Sequence, residues 1–140
     1  MKYDILVVDD SKAALFMFKK IITLSGVPID NLLTAENGLE AIELLKFRDV
    51  DLIMTDINMP EMDGFQLIEY LKKSDNFRHI PILVITTEGR DKYVERAKAL
   101  GAVNYIKKPC QPEQVKQIIL KTLGVEEDET NINDTDTGDF

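Results

Sequence analysis

The chain has 140 residues, a formal net charge of −8 at pH 7 and 44% hydrophobic residues. This length indicates one domain with one buried core, and it argues against a second catalytic domain. A single cysteine and a single histidine exclude an internal disulfide and a zinc site built from sulfur and nitrogen, so any metal must be held by oxygen.

The negative charge is concentrated at the C-terminal end. Residues 125–140 contain seven acidic residues and no Lys or Arg, whereas the first 124 residues contain 18 acids and 17 bases. Such an acidic segment, with Phe140 as its one aromatic residue, has little to bury. We therefore predict a domain over 1–124 and a disordered acidic tail over 125–140. The nearly neutral body does not favour nucleic acid as a partner.

Nothing in the sequence has the pattern of a membrane or secretion segment. No apolar run approaches the length of a membrane span, and the first four residues run straight into a strand-like segment. We expect a cytoplasmic protein that makes no contact with a membrane.

Five short apolar runs alternate with segments of helical periodicity. The predicted strands cover residues 5–8, 31–35, 52–55, 80–86 and 103–106. Apolar residues then recur at three- and four-residue spacing, as with Leu67, Ile68 and Leu71 after the third strand. Five alternations predict an α/β fold, a doubly wound parallel sheet with helices on both faces.

The carboxyl ends of parallel strands share one edge of a sheet, which is where open α/β sheets bind ligands. Polar residues from four strand ends meet there, namely Asp9, Asp10, Asp56, Asn58, Thr86, Thr87 and Lys108. Neighbouring carboxylates repel one another unless a cation compensates, and an all-oxygen site suits Mg²⁺. Asp56 can then act as a nucleophile on a phosphoryl group, while a lysine and a threonine offset charge on the transferred oxygens.

Each of these residues also has a purely structural interpretation. Asp9 or Asp10 could cap the first helix, and Asp56 could be an ordinary loop aspartate. Thr86 could simply end a strand, and Tyr105 could be a half-buried strand residue. Because four separate strand ends supply what one reaction needs, we favour the formation and hydrolysis of an aspartyl phosphate.

Four motifs carry a resemblance to a known family: VVDDS at 7–11, DINMPEMDG at 56–64, Thr86, and YIKKP at 105–109. With these motifs the chain resembles the response-regulator receiver domains, and among them the stand-alone, CheY-like receivers of chemotaxis. The resemblance covers residues 3–124. It implies five helices and a five-stranded sheet of order 2-1-3-4-5, in which phosphorylation switches protein binding, with self-phosphorylation and slow autodephosphorylation as the only activities.

The resemblance also assigns roles to single residues. It implies that Asp56 is the phosphoacceptor and that Mg²⁺ is held by Asp9, Asp10, Asp56 and the backbone carbonyl of Asn58. Water that attacks the phosphoryl group would pass between Asn58 and Glu88, which stand two residues beyond Asp56 and two beyond Thr86.

On the same grounds, Thr86 would bond the phosphoryl group and Lys108 would pair with it. Lys108 is matched in preference to Lys107 because it directly precedes Pro109, and this bond is usually cis in the family. Cys110 and Gln111 depart from the family pattern, which usually has Phe followed by a helix-capping Ser or Thr.

The implied partners are proteins. A sensor histidine kinase or a histidine phosphotransfer protein would supply the phosphoryl group, and a downstream target would bind the face formed by the fourth helix, fifth strand and fifth helix. Tyr105 and Thr87 would carry the switch to that face, which has basic residues on both helices. We expect a monomer or a weak dimer.

Three alternatives remain open from the sequence. A stand-alone receiver can instead carry phosphoryl groups in a multistep phosphorelay. A haloacid dehalogenase-like Mg²⁺-dependent phosphohydrolase also uses a strand-end aspartate, but it needs a second Asp where this chain has Asn58. Flavodoxin shares the strand pattern, but Asp9 and Asp10 would repel its FMN phosphate.

Overall fold

The computed structural model describes residues 2–87 and 91–125, although not the side chain of Asp91. The strands are β1 (Tyr3–Val8), β2 (Ile29–Ala35), β3 (Leu52–Thr55), β4 (Ile82–Thr86) and β5 (Asn104–Lys107). The helices are α1 (Lys12–Ser25), α2 (Gly38–Leu45), α3 (Gly64–Lys73), α4 (Asp91–Leu100) and α5 (Pro112–Leu123).

All neighbouring strands are parallel, and the sheet order is β2-β1-β3-β4-β5. The predicted α/β fold, with strand order 2-1-3-4-5 and five helices, is therefore confirmed. Val8 pairs with Ala35 on one side and with Thr55 on the other, while Thr86 pairs with Lys107. This register aligns the ends of the strands and brings the residues that follow them to one edge.

The sheet separates two hydrophobic cores. Leu6 and Val8 pack on the side covered by α2, α3 and α4, whereas Ile5 and Val7 pack on the side covered by α1 and α5. Both sides of β1 are buried, as expected for a parallel sheet with helices on each face. This explains why the β1 residues Ile5 to Val8 are apolar without alternation.

Four strands differ from the sequence-based bounds: β1 begins at Tyr3 rather than at residue 5, β5 runs from Asn104 to Lys107 rather than over 103–106, and β2 and β4 begin elsewhere. β4 begins at Ile82 rather than at residue 80, since Pro81 has no N–H to donate to the ladder and only its carbonyl takes part, accepting from Ile53 at 3.0 Å. β2 begins two residues earlier than predicted, because Tyr3 already pairs with Ile29.

The caps of three helices define where the site loops end. Ser11 caps α1, its side chain accepting a hydrogen bond from the Ala14 N–H, so neither Asp9 nor Asp10 is used as the cap. Asn37 and Asp63 cap α2 and α3, each side chain accepting a backbone N–H from the first turn. Both aspartates that precede α1 are therefore left for another role.

The proposed tail lies outside the described residues, except for the exposed Val125. Within the described part of the chain, no helix is long and apolar enough to span a bilayer.

Candidate functional site

Backbone hydrogen bonds fix the three chain segments that form the site. The N–H of Asp56 donates to the Val8 carbonyl at 2.9 Å, and that of Asp9 donates to the Ala35 carbonyl at 3.0 Å. The N–H of Lys108 donates to the Thr86 carbonyl at 2.9 Å. Each bond extends the strand pairing by one step, so the functional side chains are held by the sheet rather than by free loops.

Three carboxylates meet at this edge. One carboxylate oxygen from each of Asp9, Asp10 and Asp56 lies within 4.8 Å of the others. The side chains of Asp9 and Asp56 are only 4% and 15% exposed, whereas Asp10 faces solvent. Two of the charges are thus largely removed from water while the third stays accessible.

One ammonium group partly balances these carboxylates. The Nζ of Lys108 lies 2.9 Å from Asp9 Oδ2 and 3.5 Å from Asp56 Oδ2. The second Asp9 oxygen accepts the Ser11 N–H at 3.0 Å. Lys107, by contrast, is exposed. The Lys108–Pro109 peptide bond is cis, as the family resemblance implies.

The environment shifts the protonation of both partners. Burial raises the pKa of Asp56, and the charge of Asp9 adds to this, while Lys108 and the Ile57 N–H partly oppose it. Burial lowers the pKa of Lys108, but its hydrogen bond to Asp9 and the charge of Asp56 outweigh burial, so that this pKa is raised. Lys108 is therefore cationic, and the three carboxylates still exceed the positive charge in the site.

The loop after Asp56 is fixed by the start of α3. The Gly64 N–H donates to the Ile57 carbonyl at 2.8 Å, and Asp63 and Gln66 form a reciprocal capping box at 2.8 and 2.9 Å. A Cβ on Gly64 would collide with the Asp56 carbonyl oxygen and the Ile57 Cα. Only glycine allows this approach, a requirement that the sequence pattern alone did not disclose.

The other predicted site residues differ in exposure. Thr86 is buried at the end of β4, whereas Thr87 and Asn58 are exposed. Tyr105 is half-buried and packs against the α2–α4 core rather than standing out from the surface. Glu88 lies outside the described residues.

An aromatic pair between α3 and α4 escaped sequence reasoning. The rings of Phe65 and Tyr93 are stacked with centroids 6.0 Å apart, and the guanidinium of Arg96 lies 4.2 Å from the Phe65 centroid. Arg96 is thus partly engaged with an aromatic face instead of being a simple solvated charge. The one available signal was the spacing of Tyr93 and Arg96 on a single helix turn.

Residues 5–120 match the response regulator receiver domain. The chain belongs to the receiver domain family. It is 40% identical over 121 residues to a chemotaxis protein CheY homolog of Campylobacter jejuni, a match that spans 86% of this chain and 92% of the relative. Chemotaxis protein CheY1 of Helicobacter pylori is also 40% identical, with 86% and 96% covered.

The structure of this receiver domain also resembles solved ones. The chemotaxis response regulator CheY4 of Vibrio cholerae superimposes with a TM-score of 0.77 at 29% identity, covering 87% of this chain and 99% of that one. Receiver domains are signalling modules rather than classical enzymes. Family membership decides against both the phosphohydrolase and the flavodoxin alternatives.

Proposed function

We propose that this receiver domain is a stand-alone response regulator that accepts a phosphoryl group on Asp56 and signals by phosphorylation-dependent protein binding. The observation that carries the proposal is the clustering of three carboxylates within 4.8 Å around a largely buried Asp56, with Lys108 3.5 Å away. The donor is a sensor histidine kinase or a histidine phosphotransfer protein. The relatives named for chemotaxis favour that pathway over a multistep phosphorelay.

The donor set fits Mg²⁺. Asp9, Asp10 and Asp56 offer hard carboxylate oxygens, and the Asn58 carbonyl would complete the protein's share of the ligands. A bound Mg²⁺ supplies positive charge for the phosphoryl oxygens. Since Lys108 alone does not balance the carboxylates, a divalent ion also relieves their repulsion.

Asp56 provides the nucleophile. One of its carboxylate oxygens forms a bond to phosphorus while the bond from phosphorus to the donor histidine nitrogen breaks, and the imidazole leaves after taking up a proton. Lys108 then turns its charge toward the phosphoryl oxygens, and the Thr86 hydroxyl donates a hydrogen bond to one of them. Both side chains come from strand ends that are fixed by backbone bonds, so little reorganisation is required.

The lifetime of the phosphorylated state depends on water. A water molecule attacks phosphorus opposite the Asp56 oxygen, releasing inorganic phosphate and the carboxylate. Asn58 is exposed beside this approach, and Glu88 occupies the matching position after Thr86 in the sequence. Both are polar and able to orient water, which favours a short-lived signal.

The target binds the face formed by α4, β5 and α5. The described basic residues on its two helices are Lys92, Arg96, Lys98, Lys116 and Lys121. Phosphorylation would draw Thr86 toward the phosphoryl group and let the half-buried Tyr105 move inward, with Thr87 limiting the available space. NMR shifts on beryllofluoride binding should extend from the Asp56 edge to this face, and shifts confined to the edge would contradict the switch.

The proposal also covers extent and location. We place the domain at 1–124 and the acidic tail at 125–140, in a cytoplasmic protein that is monomeric or weakly dimeric. Neither a membrane nor nucleic acid is required for its action.

The phosphorylation step is tested with acetyl phosphate. With Mg²⁺, intact-mass measurement should show one added phosphate on the parent protein and on the control Asp75→Asn, whose acid lies in an exposed ion pair with Arg78. Asp56→Asn should gain none, and EDTA should abolish the gain throughout. In a parallel titration Asp10→Ala should bind Mg²⁺ much more weakly. A full phosphate on Asp56→Asn, or unchanged Mg²⁺ affinity in Asp10→Ala, would refute the assignment.

A further inference from the structure

An open groove of about 750 Å³ lies between α2 and the end of β2, far from the target face. Its apolar lining includes Leu39, Leu44 and Phe47. Leu39 is 46% exposed and Phe47 is 81% exposed. The Phe47 ring is therefore largely in water and lies beside Leu39 and Leu44 on one shallow, open surface. We refer to this surface as the α2 groove.

The α2 groove has an acidic rim. Three carboxylates line it, from Glu40, Glu43 and Glu61, against the single guanidinium of Arg48, giving a net charge of −2. Glu43 is paired with Lys46 at 2.9 Å, but both side chains are more than half exposed, and such surface pairs contribute little. Glu40 already accepts the Glu36 N–H at 2.8 Å through one carboxylate oxygen, so a cationic ligand would meet the least competition at Glu43 and Glu61.

One rim residue belongs to the loop of Asp56. Glu61 has a φ of 65°, and it is the one described residue other than glycine in the left-handed region. Its neighbour Met62 accepts the Gly38 N–H at 3.1 Å, and a Cβ on Gly38 would lie 2.6 Å from the Met62 Cγ. The close packing of this loop on the start of α2 holds Glu61 at the rim. Strained backbone kept in this way is common where a ligand is bound.

We propose that the α2 groove is a docking surface for a basic amphipathic segment of a partner protein. An apolar side chain of that segment covers Phe47 and Leu39, while Lys or Arg side chains face Glu40, Glu43 and Glu61. Charge complementarity decides among the occupants. The chain's own residues 126–140 carry seven acids and no bases, so the rim repels them, as it repels nucleic acid and anionic lipid.

A second copy of the chain is the strongest competitor. Helix α1 presents exposed Phe16, Met17, Lys19 and Lys20, which match the groove in chemistry. Such a contact would bring together two chains that each carry a net charge of −8, and this like charge opposes self-association. We therefore assign the groove to a different protein, and self-association becomes an outcome that the experiment must distinguish.

The docking does not depend on phosphorylation, so it is measured without Mg²⁺ or a phosphodonor. The probe is a synthetic 14-residue helical peptide of leucines and lysines, and the control probe replaces every lysine with glutamate. Backbone NMR shifts of the full chain are followed during titration. The lysine peptide should shift amides of residues 37–48 and 61, and the glutamate peptide should not. Added salt should weaken the binding of the lysine peptide, because it screens the attraction between lysines and the rim acids.

Matched variants distinguish binding in the groove from nonspecific binding elsewhere on the surface. Phe47→Ser should lower the affinity for the lysine peptide about tenfold, as for an anchoring aromatic residue, and Glu61→Gln should lower it about threefold. Phe16→Ser, which removes a phenylalanine that is 61% exposed on α1, should leave affinity unchanged. Because both phenylalanines are exposed, the variants are expected to fold, and Leu39→Ser provides a second groove variant.

Several results would overturn the proposal. These are shifts confined to 126–140 or to α1, equal binding of the glutamate peptide, and unchanged affinity in both Phe47→Ser and Leu39→Ser. Concentration-dependent shifts in the groove without any peptide would instead assign it to a second copy. None of these results would affect phosphorylation of Asp56, which is tested separately by mass.

Discussion

Replacing Lys108 with methionine should destabilise the protein most strongly when Mg²⁺ is absent. The substitution keeps an unbranched stem of similar length but removes the ammonium that lies 2.9 Å from Asp9 and 3.5 Å from Asp56. Two largely buried carboxylates then lose their shared counter-charge. Lys107→Met is the matched control, since Lys107 is adjacent in sequence yet exposed.

The size of the effect follows from burial. Losing one partner of a fully buried ion pair costs about 3 to 5 kcal/mol, whereas an exposed pair contributes about 0 to 1 kcal/mol. Here the Lys108, Asp9 and Asp56 side chains are 21%, 4% and 15% exposed. An intermediate loss of about 2 kcal/mol is therefore expected for Lys108→Met in EDTA. Bound Mg²⁺ would supply the missing positive charge, so the loss should fall to about 1 kcal/mol or less at saturating Mg²⁺.

The assay is urea unfolding of the parent, Lys108→Met and Lys107→Met, each in EDTA and in saturating Mg²⁺. Lys107→Met should stay within about 0.5 kcal/mol of the parent in both buffers, as for a surface substitution. An equal loss for Lys108→Met with and without Mg²⁺, or no loss in EDTA, would refute the view that Lys108 and the metal neutralise the same carboxylates.

Three further predictions follow from the site. Burial raises the pKa of Asp56 in the folded protein, so ionisation of this carboxyl group lowers the free energy of unfolding as the pH rises above its unfolded-state pKa. In EDTA, Asp56→Asn should therefore be more stable than the parent at pH 7. In urea unfolding near pH 3, where the carboxyl group is protonated, the difference should vanish. Gly64→Ala should lower the free energy of unfolding by about 2 to 4 kcal/mol, because its Cβ would collide with backbone atoms. Gly124→Ala, with no atom within 4 Å of its Cβ, should lower it by about 1 kcal/mol because of its left-handed φ. Equal losses would contradict the close-packing argument. Asn58→Met and Glu88→Leu should each slow phosphate release from labelled protein about fivefold, near 1 kcal/mol, and unchanged lifetimes in both would remove these residues from the hydrolysis step.

The parallel sheet could be predicted because strong local signals agree, whereas its strand order followed from the family resemblance. Most strands contain a short apolar run with a polar residue after it, and every helix has an apolar face, so the alternation alone leads to a parallel sheet. Only the boundaries were uncertain. Pro81 ends the hydrogen-bond ladder in a way that apolar content does not reveal, and β5 gains Lys107 because Thr86 extends the pairing.

The site was predictable as a set of residues but not as a set of contacts. The carboxyl ends of parallel strands share one edge of the sheet, whatever the loops between them do. The sequence alone could therefore predict that Asp9, Asp56 and Lys108 lie close together. The helix-capping alternative for the acids was decided only by Ser11, whose side chain takes that role. The ion pair between Lys108 and Asp9 spans 99 positions, and no local pattern records it.

The close approaches were beyond sequence reasoning for the same reason. Gly64 against the Asp56 carbonyl and Gly38 against Met62 depend on how two loops pack, not on either loop alone. The same is true of Arg96 over the Phe65 ring, which joins α3 to α4. Such contacts arise from tertiary packing between elements that are distant in the sequence.

The most direct test of the central claim is to locate the phosphoryl group chemically. Protein treated with acetyl phosphate and Mg²⁺ is reduced with borohydride, which converts an acyl phosphate to an alcohol and turns the modified aspartate into homoserine. Peptide mass mapping should then find homoserine at position 56, and none when Mg²⁺ is replaced by EDTA. Homoserine at position 9 or 10, or a phosphate that resists borohydride on a hydroxyl side chain, would contradict the assignment of Asp56 as the phosphoacceptor.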